Sequence, residues 1–234
     1  MGKQKIKQKI GIIVAHDDDG ILGLGGLIYR YKKLKNDVFV IICTDGRTSH
    51  WAVLGVKNPS MKEVAEKRKI EALKAYSILG VKKEKIYFLN LTKKEGRVWQ
   101  NMKEAESQIR KILEKEKPDI VYYHYPDLHK DHQAVSEIVS KIVNERKINS
   151  HQFIIWRPEL SKGRREILKM RIKLPKNITK IKLKKEEKEI KRKALFEVKS
   201  QVMNWPYVKW PVQQKPILDP NFINFFLNTE EEII

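Results

Sequence analysis

Five short apolar segments punctuate the first 156 residues, and a stretch with helical periodicity separates each from the next. The segments are residues 10–15, 37–43, 85–89, 120–123 and 153–156. They are rich in β-branched residues and lack polar alternation, the pattern of strands buried on both faces. The intervening stretches, 21–34, 60–79, 98–115 and about 131–143, read as helices. Leu24, Leu27, Ile28 and Tyr31 share one face of the first. Ser60-Met61-Lys62-Glu63 is a capping box that opens the second, and Gly80 is a good stop. Pro118 ends the third, and Ala134, Val135, Ile138, Val139 and Ile142 give the fourth an inward face. Strands alternating with helices build right-handed βαβ units. The expectation is therefore an α/β fold with a Rossmann-like, mostly parallel sheet and helices on both faces.

A length of 234 residues and an apolar fraction of 41% suit one large domain with a packed interior. Residues 1–234 read as a single domain, with a core over about 10–156 and a C-terminal extension over about 157–234. In the extension, 166–174 reads as a further strand and 184–202 as a long charged helix. The segment 44–60 reads as a long loop. The tail carries Trp205, Pro206, Tyr207, Trp210, Pro211, Phe222, Phe225 and Phe226. It reads as packing or a subunit contact, which hints at a homo-oligomer.

Composition narrows the partners and the compartment. The one cysteine, Cys43, lies in an apolar run and has no disulfide partner. No stretch reaches the roughly 18 apolar residues of a membrane span, and the run 10–15 is too short for a signal peptide. The N-terminus also lacks a myristoylation pattern. These features predict a soluble, cytoplasmic protein. The net charge is +20, from 49 Lys+Arg against 29 Asp+Glu. Lysines interleaved with glutamates, as over 182–193, suit solvated helix faces. No nucleic-acid motif accompanies them, so nucleic acid is not the expected partner.

In an open α/β sheet, ligands bind beyond the carboxyl ends of the strands. Two polar clusters fall there. Ala15-His16-Asp17-Asp18-Asp19 follows the first strand. His124-Tyr125-Pro126-Asp127-Leu128-His129-Lys130-Asp131-His132 follows the fourth. Together they hold four of the six histidines. Three consecutive aspartates repel one another unless a cation offsets them. Imidazole nitrogen and carboxylate oxygen suit zinc, which in catalytic sites keeps three protein ligands and leaves a position for water. Each cluster alone also has a bland reading, as a surface histidine or as aspartates capping helices. Gly23-Leu24-Gly25 does not complete a dinucleotide-binding pattern, because Ile28 stands where the third glycine belongs. Gly25 and Gly26 read instead as sites of close helix-to-strand approach.

The run Ala15-His16-Asp17-Asp18-Asp19-Gly20, continuing to Gly25-Gly26, resembles the opening motif of the LmbE-like (PIG-L) zinc-dependent N-deacetylases. His129-Lys130-Asp131-His132-Gln133-Ala134 resembles their second motif. Thr44-Asp45-Gly46, Arg68 to Gly80 and Lys193 to Gln201 agree in the same order, so the likeness spans about 10–201. The resemblance implies Zn2+ held by His16, Asp19 and His132. It implies Asp18 as general base, His129 as oxyanion stabiliser and proton donor to the leaving amine, and Arg68 as a substrate contact. It further implies hydrolysis of the acetamide of an N-acetylglucosaminyl group, on a small N-acetylated sugar or glycoconjugate. Asp17 stands where the family has proline, Gly20 where it has glutamate and Val198 where it has histidine. The residues leave two alternatives open: a zinc amidohydrolase for a non-sugar N-acyl amine, and a basic nucleic-acid-binding protein with a vestigial site. Asp127 and Asp131 read equally as partners of the histidines or as helix caps.

Overall fold

The computed structural model describes residues 7–55, 57–92, 95–156, 175, 177–204 and 215–234. Five parallel strands, β1 (Lys9–Val14), β2 (Asp37–Ile42), β3 (Ile86–Phe88), β4 (Ile120–His124) and β5 (Asn149–Phe153), form a sheet in the order β3-β2-β1-β4-β5. Two short antiparallel strands, β6 (Thr179–Ile181) and β7 (Glu231–Ile233), extend it beyond β5. The helices are α1 (Asp19–Lys33), α2 (Ser49–Leu54), α3 (Met61–Ile78), α4 (Met102–Glu116), α5 (Lys130–Arg146), α6 (Lys185–Leu195), α7 (Lys199–Val202) and α8 (Pro220–Asn228). The Rossmann-like, mostly parallel architecture expected from the sequence is the one observed.

Strand alternation sorts the core into two layers. Ile10, Ile12 and Val14 of β1, with Val38, Val40 and Ile42 of β2, pack under α1, α3, α6 and α8. Ile13, Ala15, Phe39, Ile41 and Cys43 pack on the opposite face, against α4 and α5. Strand order reverses between β1 and β4, so a crevice opens above their carboxyl ends. Both polar clusters lie at those ends.

Several local expectations shift. The fifth strand is 149–153, not 153–156. Its first residues are polar because β7 covers it only near Phe153. Ile154 and Ile155 follow the strand and are buried. The helix expected from residue 98 opens with a 3₁₀ turn (Val98–Gln100) and becomes α4 only at Met102. Val98 N–H donates to Asp131 Oδ1 (2.7 Å), which draws that turn toward the crevice. The long helix of 184–202 breaks into α6 and α7. Glu71 accepts from the backbone N–H (2.9 Å) and hydroxyl (2.6 Å) of Ser200, and the break lets Leu195, Val198 and Val202 all be buried. The loop expected over 44–60 contains α2. The expected strand 166–174 and the tail residues Trp205, Pro206, Tyr207, Trp210 and Pro211 lie outside the described residues.

The expected helix-to-strand approach is made by Gly23, not by its neighbours. A Cβ there would sit 2.5 Å from the Phe153 ring in β5. One at Gly25 would meet Lys191 Cγ at 3.0 Å, and one at Gly26 would meet Leu183 at 2.5 Å. These two glycines admit α6 and the residues before it. At this contact Glu231 accepts from the N–H groups of Gly26 (2.7 Å) and Leu27 (2.8 Å) and pairs with the buried Lys191 ammonium (2.9 Å). Removing one partner of a buried pair strands the other charge. Glu231→Ala is therefore expected to destabilise the fold by about 3–5 kcal/mol, read by urea unfolding. Adding Lys191→Met should recover a large part of that loss, whereas an equally unstable double variant would oppose the reading.

Candidate active site

β1 ends against the crevice, and the chain turns at once into α1. Asp18 is the residue before that helix and Asp19 its first. Asp19 Oδ2 accepts from the His16 backbone N–H at 2.7 Å and lies 3.1 Å from His16 Nδ1. It also lies 3.2 Å from His124 Nε2 and 3.3 Å from His132 Nε2. One carboxylate oxygen thus faces three imidazoles drawn from the ends of β1 and β4 and from α5.

The His132 ring has a defined tautomer. Its Nδ1 lies 3.0 and 2.9 Å from the two oxygens of Asp127, so the ring proton resides there. Nε2, which Asp127 does not reach, is fully buried and has no hydrogen-bond partner among the described residues. Asp131 Oδ2 is likewise buried and makes no hydrogen bond among the described residues, with His16 Nε2 at 3.5 Å and the Arg97 guanidinium at 3.7 Å. Buried polar atoms without a hydrogen bond are costly unless they meet a ligand. The donor set of imidazole and carboxylate fits a divalent transition metal. Ligand atoms from His16, His129 and His132, from Asp19, His124 and His132, and from His16, Asp18 and Asp19 converge within 4.8 Å in each group.

Asp127 also accepts from the His129 (2.9 Å) and Trp156 (2.9 Å) N–H groups. Burial pushes its carboxyl up, but His132 and these bonds override that and hold it below the usual range. Asp127 therefore supports His132 rather than capping a helix. Asp131 accepts from Val98 N–H and faces His16. Burial opposes its charge, yet His16 and His129 keep its carboxyl down at about 2.

His129 precedes α5 and is part-exposed. Its Nδ1 accepts from Asp131 N–H (3.2 Å), which leaves the ring proton on Nε2. Burial, and then His16 and His132, push its pKa down to about 3, so the ring is a neutral donor at physiological pH. Burial pushes the Asp18 carboxyl up to about 6, against the opposing pull of Arg68. Such a value suits a base working near neutrality. Arg68 is buried, with Nη2 paired to Asp17 Oδ1 and 3.6 Å from Asp18 Oδ1. Burial lowers its pKa, but Asp17 and Asp18 more than compensate and raise it. Gly46, at φ +63°, lets the backbone pass beside the guanidinium, where a Cβ would lie 2.5 Å from Nε. Asp17, standing in the place of proline, supplies the ion partner of the residue expected to touch substrate.

Burial disfavours protonated His16, but Asp19 and then Asp131 outweigh it and raise its pKa to about 9. Asp127, followed by Asp19, likewise outweighs burial at His132. A divalent ion must displace such protons. Affinity for a divalent transition metal should therefore strengthen as pH rises from 6 toward 9, by about tenfold per unit for each proton released. Chelator competition at pH 6, 7 and 8 measures this, and a flat profile would contradict it.

His16, Asp18, Asp19, Arg68 and His129 line one pocket, and the fully buried His132 ring lies 4.8 Å from that of His129. Its lining also includes the apolar Ile155, Trp156, Leu218 and Phe222, and Trp156 lies against Phe222 at 5.0 Å. The aromatic tail expected to pack or to make a subunit contact therefore contributes Phe222 to the pocket. Glu95 and Arg97 close another side. Sequence reading did not mark these residues. It assigned no role to His124, although that histidine lay within the second cluster and its position at a strand end was a usable signal.

A family model described as PIG-L, GlcNAc-PI de-N-acetylase, matches residues 12–143. No curated protein sequence matches the chain. Among solved structures, a deacetylase triple mutant of the teicoplanin biosynthetic pathway is similar at TM-score 0.69 and 16% identity, over 96% of each chain. An N,N'-diacetylchitobiose deacetylase from Pyrococcus horikoshii aligns at TM-score 0.62 and 22% identity, covering 98% of this chain and 84% of its own. A 4-carboxy-2-hydroxymuconate hydratase from Pseudomonas putida KT2440 aligns at TM-score 0.61 and 16% identity, over 81% of this chain and 78% of its own. The last shows that the fold alone does not name a reaction.

Proposed function

The chain belongs to the PIG-L family, and on that footing we propose that it is a zinc-dependent N-deacetylase acting on an N-acetylglucosaminyl-type substrate. The observation that carries this is the His132 ring, locked through Nδ1 by Asp127 while its buried Nε2 faces Asp19 and His16 without a partner.

In this reading His16, Asp19 and His132 hold the metal. The chemistry it supplies when bound is an acidified water and a polarised amide carbonyl. Asp18, in the pocket and ionised above about 6, takes the proton of the attacking water on its carboxylate. His129 turns its Nε2–H to the carbonyl oxygen as that oxygen gains negative charge, a contact strongest in the transition state. A proton then passes to the departing nitrogen as the C–N bond breaks, which releases acetate and a free amine. Arg68, tied to Asp17, keeps a positive charge beside Asp18 and orients the acetamide end of the substrate. The apolar wall at Trp156 and Phe222 receives the carbon-bound face of a sugar ring.

The test is acetate release from a panel. N-acetylglucosamine and its short oligomers should be hydrolysed, whereas N-acetyl amino acids should not. Turnover confined to the amino acids would instead identify an amidohydrolase of non-sugar N-acyl amines. Among the described residues no helix is long and apolar enough to cross a membrane.

A further inference from the structure

Resting on the metal-dependent reading above, we infer that His124 is a positioning residue that fixes His132 and the backbone before His16, and is not itself a ligand. His124 is the last residue of β4 and is fully buried. Its Nε2 accepts from the backbone N–H of Ala15 at 3.0 Å, across 109 residues of sequence. Its ring lies on that of His132, with centroids 3.9 Å apart and planes 13° apart, and the Phe153 ring backs it at 4.7 Å.

The hydrogen bonding decides between ligand and support. A backbone N–H only donates, so Nε2 must present its lone pair to Ala15 and the ring proton must sit on Nδ1. That lone pair is taken up by the Ala15 N–H and so is not free for an ion, although Asp19 Oδ2 lies 3.2 Å from the same nitrogen. The opposite tautomer would let Nε2–H donate to Asp19 Oδ2 at 3.2 Å, but it would orphan the buried backbone N–H of Ala15 and leave Nδ1 still without a partner. Among the described residues Nδ1 is buried without a hydrogen-bond partner. A side chain chosen only for packing would not carry an unpaired polar atom, which costs stability. Phenylalanine would provide the flat face without the acceptor, and glutamine would provide the acceptor without the face. Histidine provides both at once. Asp127 fixes the edge of the His132 ring and His124 fixes its face, so together they determine where Nε2 points. The same histidine ties the end of β1 to the end of β4, the two strands that bring His16 and His132 together.

The test compares the parent with His124→Phe and His124→Gln. Zinc affinity is read by chelator competition, the ligand set by the visible spectrum of the cobalt(II)-loaded protein, and the fold by the Tm of the metal-free protein. Each variant should bind zinc about tenfold more weakly, as expected when a supporting partner is lost. Each should retain the parent's cobalt spectrum, and the metal-free Tm of His124→Gln should stay close to that of the parent. Parent-like zinc affinity in both variants would overturn the inference and leave the metal reading intact. Loss of binding as complete as in His132→Ala, with an altered cobalt spectrum, would make His124 a ligand and also overturn it. A parent that binds neither zinc nor cobalt would remove the reading on which the inference rests.

Discussion

Asp18→Asn is expected to keep its zinc and lose about 10²–10⁴-fold in kcat/KM, the usual contribution of a positioned base. The substitution preserves the shape of a side chain that is 6% exposed and lines the pocket, but removes its capacity to take a proton. The three residues proposed to hold the ion are untouched, so metal content measured on the same sample should match the parent. The variant also carries a stability signature. Burial raises the folded-state pKa of Asp18 from the usual carboxylate range to about 6. For an acid with a raised pKa, the ionised form is the one disfavoured by folding. The penalty is present above about pH 6 and disappears below about pH 4. Metal-free Asp18→Asn should therefore be at least as stable as the parent at pH 7, with the difference closing in acid. An activity loss accompanied by a less stable fold at pH 7 would point to collapse of the site instead.

His132→Ala is expected to weaken zinc binding by more than about 100-fold, the upper end for losing a supporting partner alone, and to abolish turnover with it. The change removes a buried nitrogen that makes no hydrogen bond among the described residues and lies 3.3 Å from Asp19 Oδ2, beside His16. It also leaves Asp127 buried with only the N–H groups of His129 and Trp156. Asp127→Asn provides the graded comparison. It weakens the hold on His132 Nδ1 without deleting Nε2, so binding should fall about 10–100-fold. Equal losses in the two variants would place Asp127 and His132 in the same role and contradict the assignment of one as ligand and the other as support.

The sheet was legible because β1, β2 and β4 are buried on both faces and therefore uniformly apolar. β5 was misplaced for the same reason. Its residues Asn149 to Gln152 lie near the sheet edge and are polar, whereas the apolar Ile154 and Ile155 belong to the chain that follows. The break between α6 and α7 was invisible because its cause, Glu71 holding Ser200, spans 129 residues. The two polar clusters could be read because they sit directly after strands, where a parallel sheet collects its ligands. Support within the clusters was harder to read. Asp127 differs from an ordinary helix cap only through the distance to His132 Nδ1, and His124 is distinguished by a bond to Ala15 that depends on β1 lying beside β4. Phe222 entered the pocket from a tail whose composition signalled packing, and it does pack, but against a residue of the pocket wall.

Titration of chelated, metal-free protein with zinc, followed by acetate release from an N-acetylglucosamine oligomer, bears on the central claim most directly. Activity should be absent at the start, rise linearly and stop rising at one equivalent of ion per chain. Full turnover by the chelated protein, with no response to added metal, would contradict it.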